Sequence, residues 1–418
     1  MAGHAPPLLC GAVRTVLHLG CDGAHASGTC RAADMIQLQE SWLTSPDTQA
    51  VLQALENAGA QALIVGGCVR NALLDCPVGD IDISTDATPD RVTQIVTAAG
   101  LRAVPTGIDH GTVTVVTENT AFEVTTFRHD VETDGRRAVV SFATTVEEDA
   151  ARRDFTINAL YARKDGTVVD PLGGLDDINT RKVRFIGTPS DRIREDYLRS
   201  LRYFRFHALY GDPENGFDAD ALGGIAANLD GITQLSRERI GAEMMKLLAA
   251  PDPAPSVATM RQIGLLALCL PGADDTALGP LVHLESQAGL PPIALRRLSV
   301  IGGEDPMQAL RLSKSQNRAL GTLRNEIGST REAAELAYRH GADTARNVAL
   351  LRAASFETPP PPDLEARITL GADAQLPIQA ADLMEQFSGP ALGARLKELE
   401  QAWIASDFQL DRSALMAL

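Results

Sequence analysis

Asp80 and Asp82 stand two residues apart in Gly79-Asp-Ile-Asp-Ile83. Residues two apart on a strand point to one face, so this spacing presents two carboxylates side by side. Hard oxygen ligands of this kind suit Mg²⁺, and two like charges held together are costly without a cation. Upstream lies Leu63-Ile-Val-Gly-Gly-Cys-Val-Arg-Asn71. A strand entering Gly66-Gly67 lets backbone approach an anion closely. A following helix aims its first N–H groups at the same place, and Arg70 adds a charge-assisted contact to phosphate. Phosphate donors and metal ligands in one pocket are what nucleotidyl transfer requires. A solvated strand edge carrying alternating acids is the bland alternative for the aspartates alone.

A second set of chemical groups is rich in arginine. Arg194-Glu-Asp-Tyr-Leu-Arg-Ser-Leu-Arg-Tyr-Phe-Arg-Phe206 reads as a helix with Leu198, Leu201, Phe204 and Phe206 buried. Asp196 and Arg199 are three apart, which makes them neighbours on one helical face. Arg202 and Arg205 continue at the same step. A carboxylate accepts from the exocyclic amine of cytosine or adenine, and an arginine donates to the unprotonated ring nitrogen beside it. Guanine and uracil present a carbonyl and an N–H there, so both contacts fail, at a cost of several kcal/mol in a buried site. Asp196 with Arg199 therefore has the chemistry to accept C and A and reject G and U. An amphipathic helix held by internal ion pairs is the competing reading.

Taken together these segments resemble a known family. Gly66-Gly-Cys-Val-Arg-Asn-Ala-Leu-Leu-Asp-Cys-Pro-Val-Gly-Asp-Ile-Asp-Ile-Ser84 is similar to the signature of the nucleotidyltransferase superfamily that includes DNA polymerase beta. More narrowly, the chain resembles class II tRNA nucleotidyltransferases (CCA-adding enzymes) and bacterial poly(A) polymerases. Arg152-Arg-Asp-Phe-Thr-Ile-Asn-Ala-Leu160 resembles the family's ribose- and phosphate-binding motif, in which Arg153 would grip phosphate, Asp154 would accept from a ribose hydroxyl, and Asn158 would select the 2′-hydroxyl or fix the turn. Glu195, Asp196 and Arg199 match the family's base-templating motif, with Arg202 and Arg205 where further nucleotide-contacting arginines are found. The resemblance also implies a third carboxylate on a neighbouring strand, for which Glu123 is the candidate. Ser236-Arg-Glu-Arg-Ile-Gly-Ala-Glu243 matches a further motif, whose Glu238, Arg239 and Glu243 read as structural ties between neck helices. Asp170-Pro-Leu-Gly-Gly-Leu-Asp-Asp177 reads as architectural too. One departure stands at Asn71, where the family usually has an acid.

The resemblance covers about residues 61–250 and implies a template-independent enzyme that adds CCA to the 3′ end of tRNA. ATP and CTP would be its substrates and two Mg²⁺ ions its cofactors, held by Asp80 and Asp82. A poly(A) polymerase or a partial (A- or CC-) adding enzyme shares the head motifs. The tail lacks the strongly basic stretch that general RNA tailing would use. A degenerate RNA-binding homologue is opposed by the intact Asp80/Asp82 pair. His129-Asp130, reminiscent of the HD phosphohydrolase pair of some relatives, has no further His/Asp set at metal spacing and is expected to be surface polar sequence in a loop.

The elements that must position these groups follow from periodicity. Helices are expected over Asp47–Ala60, Val69–Leu74 and Pro89–Ala99, and strands over Ala62–Val65, Asp80–Ser84, Thr112–Val116 and Ala121–Phe127. In the last strand Phe122, Val124 and Thr126 would face the core, leaving Glu123 and Thr125 opposite. From about Ser190 strand signals vanish and helical periodicity continues to the end. The expected fold is an α/β head of the DNA polymerase beta superfamily followed by all-α neck, body and tail. Its boundaries are an N-terminal extension at 1–34, head 35–190, neck 191–250, body 251–357, and Pro-rich linker with helical tail 358–418.

Composition bounds the rest. The chain has 418 residues, a formal charge of −16 and 44% apolar residues, enough for packed cores and too much for wholesale disorder. No apolar run approaches the ~18 residues of a spanning helix, so a membrane protein is not expected and the reading is cytoplasmic. Six cysteines in a chain this long are no disulfide scaffold; Cys68, Cys76 and Cys269 are expected to be isolated thiols. The acidic total opposes a uniformly basic coat, yet residues 181–210 hold eight Lys/Arg against three Asp/Glu. That local excess predicts a basic groove for the tRNA acceptor end on an otherwise acidic protein.

Overall fold

The computed structural model describes residues 36–134 and 137–418; the expected extension at 1–34 lies outside the described residues. The chain divides into two compact units, ending and beginning at Cys269 and Leu270.

The first unit is built on a mixed seven-stranded sheet. Its strands are β1 (Ala62–Val65), β2 (Asp82–Thr85), β3 (Arg102–Gly107), β4 (Thr112–Val116), β5 (Ala121–Thr126), β8 (Tyr161–Ala162) and β9 (Val168–Val169), in the order β3-β4-β5-β2-β1-β8-β9. Strands β6 (Arg128–Asp134) and β7 (Arg137–Phe142) form a separate hairpin. The backbone of His129-Asp130 is therefore in a strand, not the expected loop. Pairing around β2 decides the site: β2 runs antiparallel to β1 and parallel to β5, with Asp82 opposite Glu123. The alternation expected for β5 is found, with Phe122, Val124 and Thr126 buried. β2 starts two residues later than expected, so Asp80 precedes the strand and is exposed, while Asp82 is its half-buried first residue.

Helices α1 (Pro46–Asn57), α2 (Gly67–Leu73), α3 (Pro89–Ala98), α4 (Val146–Ala151) and α5 (Gly174–Asn179) accompany the sheet. Ser45 caps α1 by accepting from the Thr48 amide, and Thr145 with Glu148 closes a reciprocal capping box on α4. Then come α6 (Pro189–Glu195), α7 (Leu198–Tyr210), α8 (Ala219–Ala226), α9 (Arg237–Leu248), α10 (Ala254–Gln262) and α11 (Leu265–Cys269). The apolar side of α7 buries Leu198, Leu201, Tyr203, Phe204 and Phe206. Phe155 is the hinge pin of this packing: its ring centroid lies 5.1 Å from Phe206 and 4.9 Å from Phe185. Burying such a ring is worth roughly 3–5 kcal/mol against alanine. Cys68 and Cys269 are buried free thiols, whereas Cys76 is disulfide-bonded rather than the isolated thiol expected.

The second unit is helical among the described residues, from α12 (Leu278–Gln287) through α13 (Ala294–Ile301), α14 (Pro306–Leu310), α15 (Lys314–Ile327), α16 (Ala333–His340), α17 (Ala342–Phe356), α18 (Leu364–Asp373), α19 (Ala380–Leu383), α20 (Gly389–Ala405) and α21 (Arg412–Ala417). Leu281, Leu323, Leu336, Val348, Leu351 and Ile368 share one core, and Ile378, Leu399, Trp403 and Leu415 a second. α18 crosses α16 so closely that a Cβ on Gly371 would lie 1.9 Å from the Ala334 carbonyl, so glycine is required there. Arg296 and Arg297 are both buried and converge on the one buried carboxylate of Glu285. Among the described residues no helix is long and apolar enough to cross a membrane.

Candidate active site

Gly66 turns β1 into α2 with φ +78°, a left-handed conformation that favours glycine. A Cβ there would stand 3.4 Å from Nη1 of Arg153, so the turn and that arginine face each other closely. Arg153 in turn reaches Ser84 of β2, its Nη2 donating to Oγ at 3.4 Å. Asp82 thus begins a strand flanked by Glu123 on one side and overlooked by Arg153. Burial, then the neighbouring Glu123 and Asp80 charges, push the Asp82 carboxyl up to about 6 against the opposing pull of Arg153.

This crowding of carboxylates fits a cation. Among the described residues no three carboxylate, histidine or cysteine side chains converge into a closed metal cage. An open set of two aspartates is the ordinary arrangement for Mg²⁺, which keeps water and substrate phosphate as its other ligands. The donor chemistry of Asp80 and Asp82 therefore suits it.

Arg153 is held in place by a residue that sequence reasoning passed over. Asp149 on α4 is fully buried and accepts from Arg153 Nη2 at 3.0 Å, Arg152 Nε at 2.9 Å and the Tyr161 hydroxyl at 2.8 Å. Burial pushes its carboxyl up, but the Arg153 and Arg152 charges and the Tyr161 hydrogen bond outweigh that and hold it at about 2. The signal was present: Asp149 precedes the two arginines by three and four residues, the spacing of helical ion pairs.

Asp154 and Asn158 link the head to α7. Oδ1 of Asp154 accepts from the Phe155 amide and from Asn158 Nδ2, each at 2.9 Å. Oδ2 accepts from Nε of Arg202 at 2.8 Å and from its Nη2. Arg70 extends the network, since its Nη1 donates to Asn158 Oδ1. Its Nε and Nη2 donate to Asn71 Oδ1 at 3.1 and 2.8 Å, so Asn71 is an uncharged partner where an acid could form an ion pair. Arg70 is buried, at 7% exposure, against the ring of Tyr210 rather than extended from the first turn of α2. The 3.6 Å approach of its Nη2 to a Cβ position on Gly67 keeps its charge behind the glycine turn.

The pair expected to select the base departs from its expected geometry. α6 ends at Glu195, Asp196 is extended (φ −152°, ψ 104°), and α7 begins at Leu198. Asp196 and Arg199 are therefore not two residues of one helical face. Oδ2 of Asp196 accepts from Arg239 Nη2 at 2.7 Å and Oδ1 from the Leu198 amide at 3.1 Å. Arg199 Nη1 donates to Glu195 Oε2 at 2.5 Å and to the Arg192 carbonyl at 2.9 Å. Arg205 Nε donates to Glu243 Oε2 at 2.6 Å, and Glu238 occupies the first turn of α9 behind the Ser236 cap. The local basic excess is thus largely paired. Asp177, in the architectural turn, clamps Thr156 and Arg184.

Comparisons with known proteins bear on the family of the chain. The family described as "Poly A polymerase head domain" matches residues 62–184, and "Probable RNA and SrmB- binding site of polymerase A" matches 217–276. A zebrafish (Danio rerio) mitochondrial CCA tRNA nucleotidyltransferase 1 is 37% identical over 58% of this chain, a match spanning 57% of its own length. The CCA-adding enzyme of Lacticaseibacillus paracasei is 32% identical over 87% of this chain and 94% of its own, and that of Streptococcus gordonii 33% over 88% and 95%. The crystal structure of the Bacillus stearothermophilus CCA-adding enzyme in complex with CTP aligns with a TM-score of 0.65 and 28% identity, covering 87% of this chain and 94% of that one. A Thermotoga maritima CCA-adding enzyme complexed with tRNA shares the fold at TM-score 0.66 and 16% identity, over 92% and 98%. With head, neck and helical unit matched over nearly the whole length of its bacterial relatives, the chain belongs to the family of CCA-adding enzymes.

Proposed function

We propose that this chain adds CCA to the 3′ end of tRNA from CTP and ATP, without a nucleic-acid template. The observation that carries the reading is Asp82 standing opposite Glu123 on one side and opposite Val65, the residue before the Gly66 turn, on the other, with Arg153 close to Gly66 and Ser84, in a chain alignable with CCA-adding enzymes over 94–95% of their length. Asp80 and Asp82 would hold two Mg²⁺ ions, with Glu123 supporting them. The chemistry that bound magnesium supplies is activation of a primer hydroxyl and neutralisation of departing pyrophosphate.

The chain's own groups do the binding. Gly66, Gly67 and Arg70 receive the triphosphate, and Arg153, fixed by Asp149, steadies phosphate and sugar. Asp154 and Asn158 tie that arginine-rich turn to Arg202. Asp196 reads the base through Oδ1 while Arg239 keeps Oδ2 in place, and Arg199 reads it once it exchanges Glu195 for the Watson–Crick edge. Charge-assisted hydrogen bonds replace one another in that exchange, so its cost is modest beside the discrimination it provides.

Poly(A) synthesis is the second reading, favoured by the description of the matched head family. Incubating tRNA lacking CCA with each nucleotide singly and with CTP plus ATP separates the two. Three added nucleotides from the mixture, and cytidine addition from CTP alone, are expected. Long adenosine tails without CTP use would overturn CCA addition, and no incorporation at all by folded protein would point to a binding homologue.

A further inference from the structure

Arg70 is unlike the other arginines around it. Arg153, Arg199, Arg202, Arg205 and Arg239 each form an ion pair. The partners of Arg70 among the described residues are all uncharged: Asn71, Asn158 and the Tyr210 hydroxyl, which accepts from Nη2 at 2.8 Å. Its guanidinium carbon also lies 4.1 Å from the centroid of the Tyr210 ring and 5.1 Å from that of Phe206.

Burying a cation without a counter-ion is expensive. Neutral acceptors and an aromatic face reduce the cost without cancelling the charge. The guanidinium is thus fixed directly behind the Gly66-Gly67 turn with no carboxylate among its hydrogen-bond partners, Asp154 acting on it only from behind Asn158. An anion arriving at that turn supplies the missing charge. Tyr210 and Phe206 belong to the end of α7, whose start carries Arg199. The two ends of a nucleotide are therefore tied to one helix.

We propose that Tyr210 is a positioning residue for nucleoside triphosphate binding, holding Arg70 with Asn71 behind the glycine turn as a cation with no direct carboxylate partner. The idea rests on the reading of that turn as the triphosphate site. An acid at position 71 would pair with Arg70, divide its charge and make the tyrosine dispensable.

The test is a double-mutant cycle on equilibrium binding of ATP and of CTP, each with magnesium, using the full chain as wild type, Tyr210→Phe, Asn71→Asp and the double variant. Tyr210→Phe is expected to weaken both nucleotides about tenfold and alike, leaving the preference for C and A over G and U unchanged. Asn71→Asp should weaken both by about as much. In the Asn71→Asp background the tyrosine change should cost less than about twofold, because the new carboxylate already fixes Arg70. A purely structural tyrosine would cost the same in both backgrounds, and that additive result would overturn the proposal. So would nucleotide binding by either single variant within twofold of wild type. Binding needs no turnover, so a wild type that binds both nucleotides yet extends no tRNA would sink the assigned reaction and leave the role of Tyr210 standing.

Discussion

Asp149 shows how one buried side chain can govern a site without touching substrate. It has no exposure and satisfies two guanidinium groups and a phenol at once. Removing its charge leaves Arg152 and Arg153 with an uncompensated partner set, which typically costs about 3–5 kcal/mol. Its carboxyl is held at about 2, below the usual 3.8. A depressed carboxylate stabilises the fold above its unfolded pKa and loses that contribution as pH falls toward the folded one. The difference is worth about 2 kcal/mol, lost between roughly pH 4 and 2. Urea unfolding of wild type and Asp149→Asn at pH 6 and across the acid range should show the gap between them shrinking as pH drops. A constant gap would show that the charge of Asp149 is not what stabilises the fold.

At the scale of elements, the proposed reading of bases turns on the junction between α6 and α7. Asp196 is presented from extended backbone and held by Arg239 of α9, while Arg199 is held by Glu195 across the break. The expectation for Arg239→Ala is therefore a change in selectivity beyond any change in stability. Discrimination of CTP and ATP against UTP and GTP should fall about tenfold or more, because Asp196 loses the contact that fixes its carboxylate. Single-turnover incorporation of each nucleotide measures it, and unchanged ratios would leave Arg239 a neck tie only. This junction was not legible from periodicity. Apolar spacing runs through Leu198, Leu201 and Phe204 as in one helix, and nothing local announces the extended residue before it. The faces of β5 were legible from its alternation, whereas Glu123 as the acid beside Asp82 was legible only through the family resemblance. Contacts between distant elements are non-local, and Tyr210 escaped for that reason, since its partner Arg70 is 140 residues away.

For the whole molecule, the question is how a protein of net charge −16 holds a polyanion. The excess of arginine in residues 181–210 does not stand as a bare basic surface, since Arg192, Arg194, Arg199, Arg202 and Arg205 all have carboxylate partners. Long-range attraction is thus weak, and contact with RNA depends on local replacement of carboxylates by phosphates. Such a protein releases few counterions, so the slope of log affinity against log salt should be shallow, about −2 to −4, where a basic coat making many phosphate contacts reaches about −10. Association should also lack electrostatic acceleration, with a rate near the ordinary 10⁵–10⁷ M⁻¹s⁻¹ and little changed by ionic strength. Titrating fluorescent tRNA lacking CCA at several salt concentrations gives the slope, and stopped-flow mixing gives the rate. A steep slope with fast, salt-sensitive association would mean that an extended basic face, and not the paired arginines of the neck, captures the tRNA.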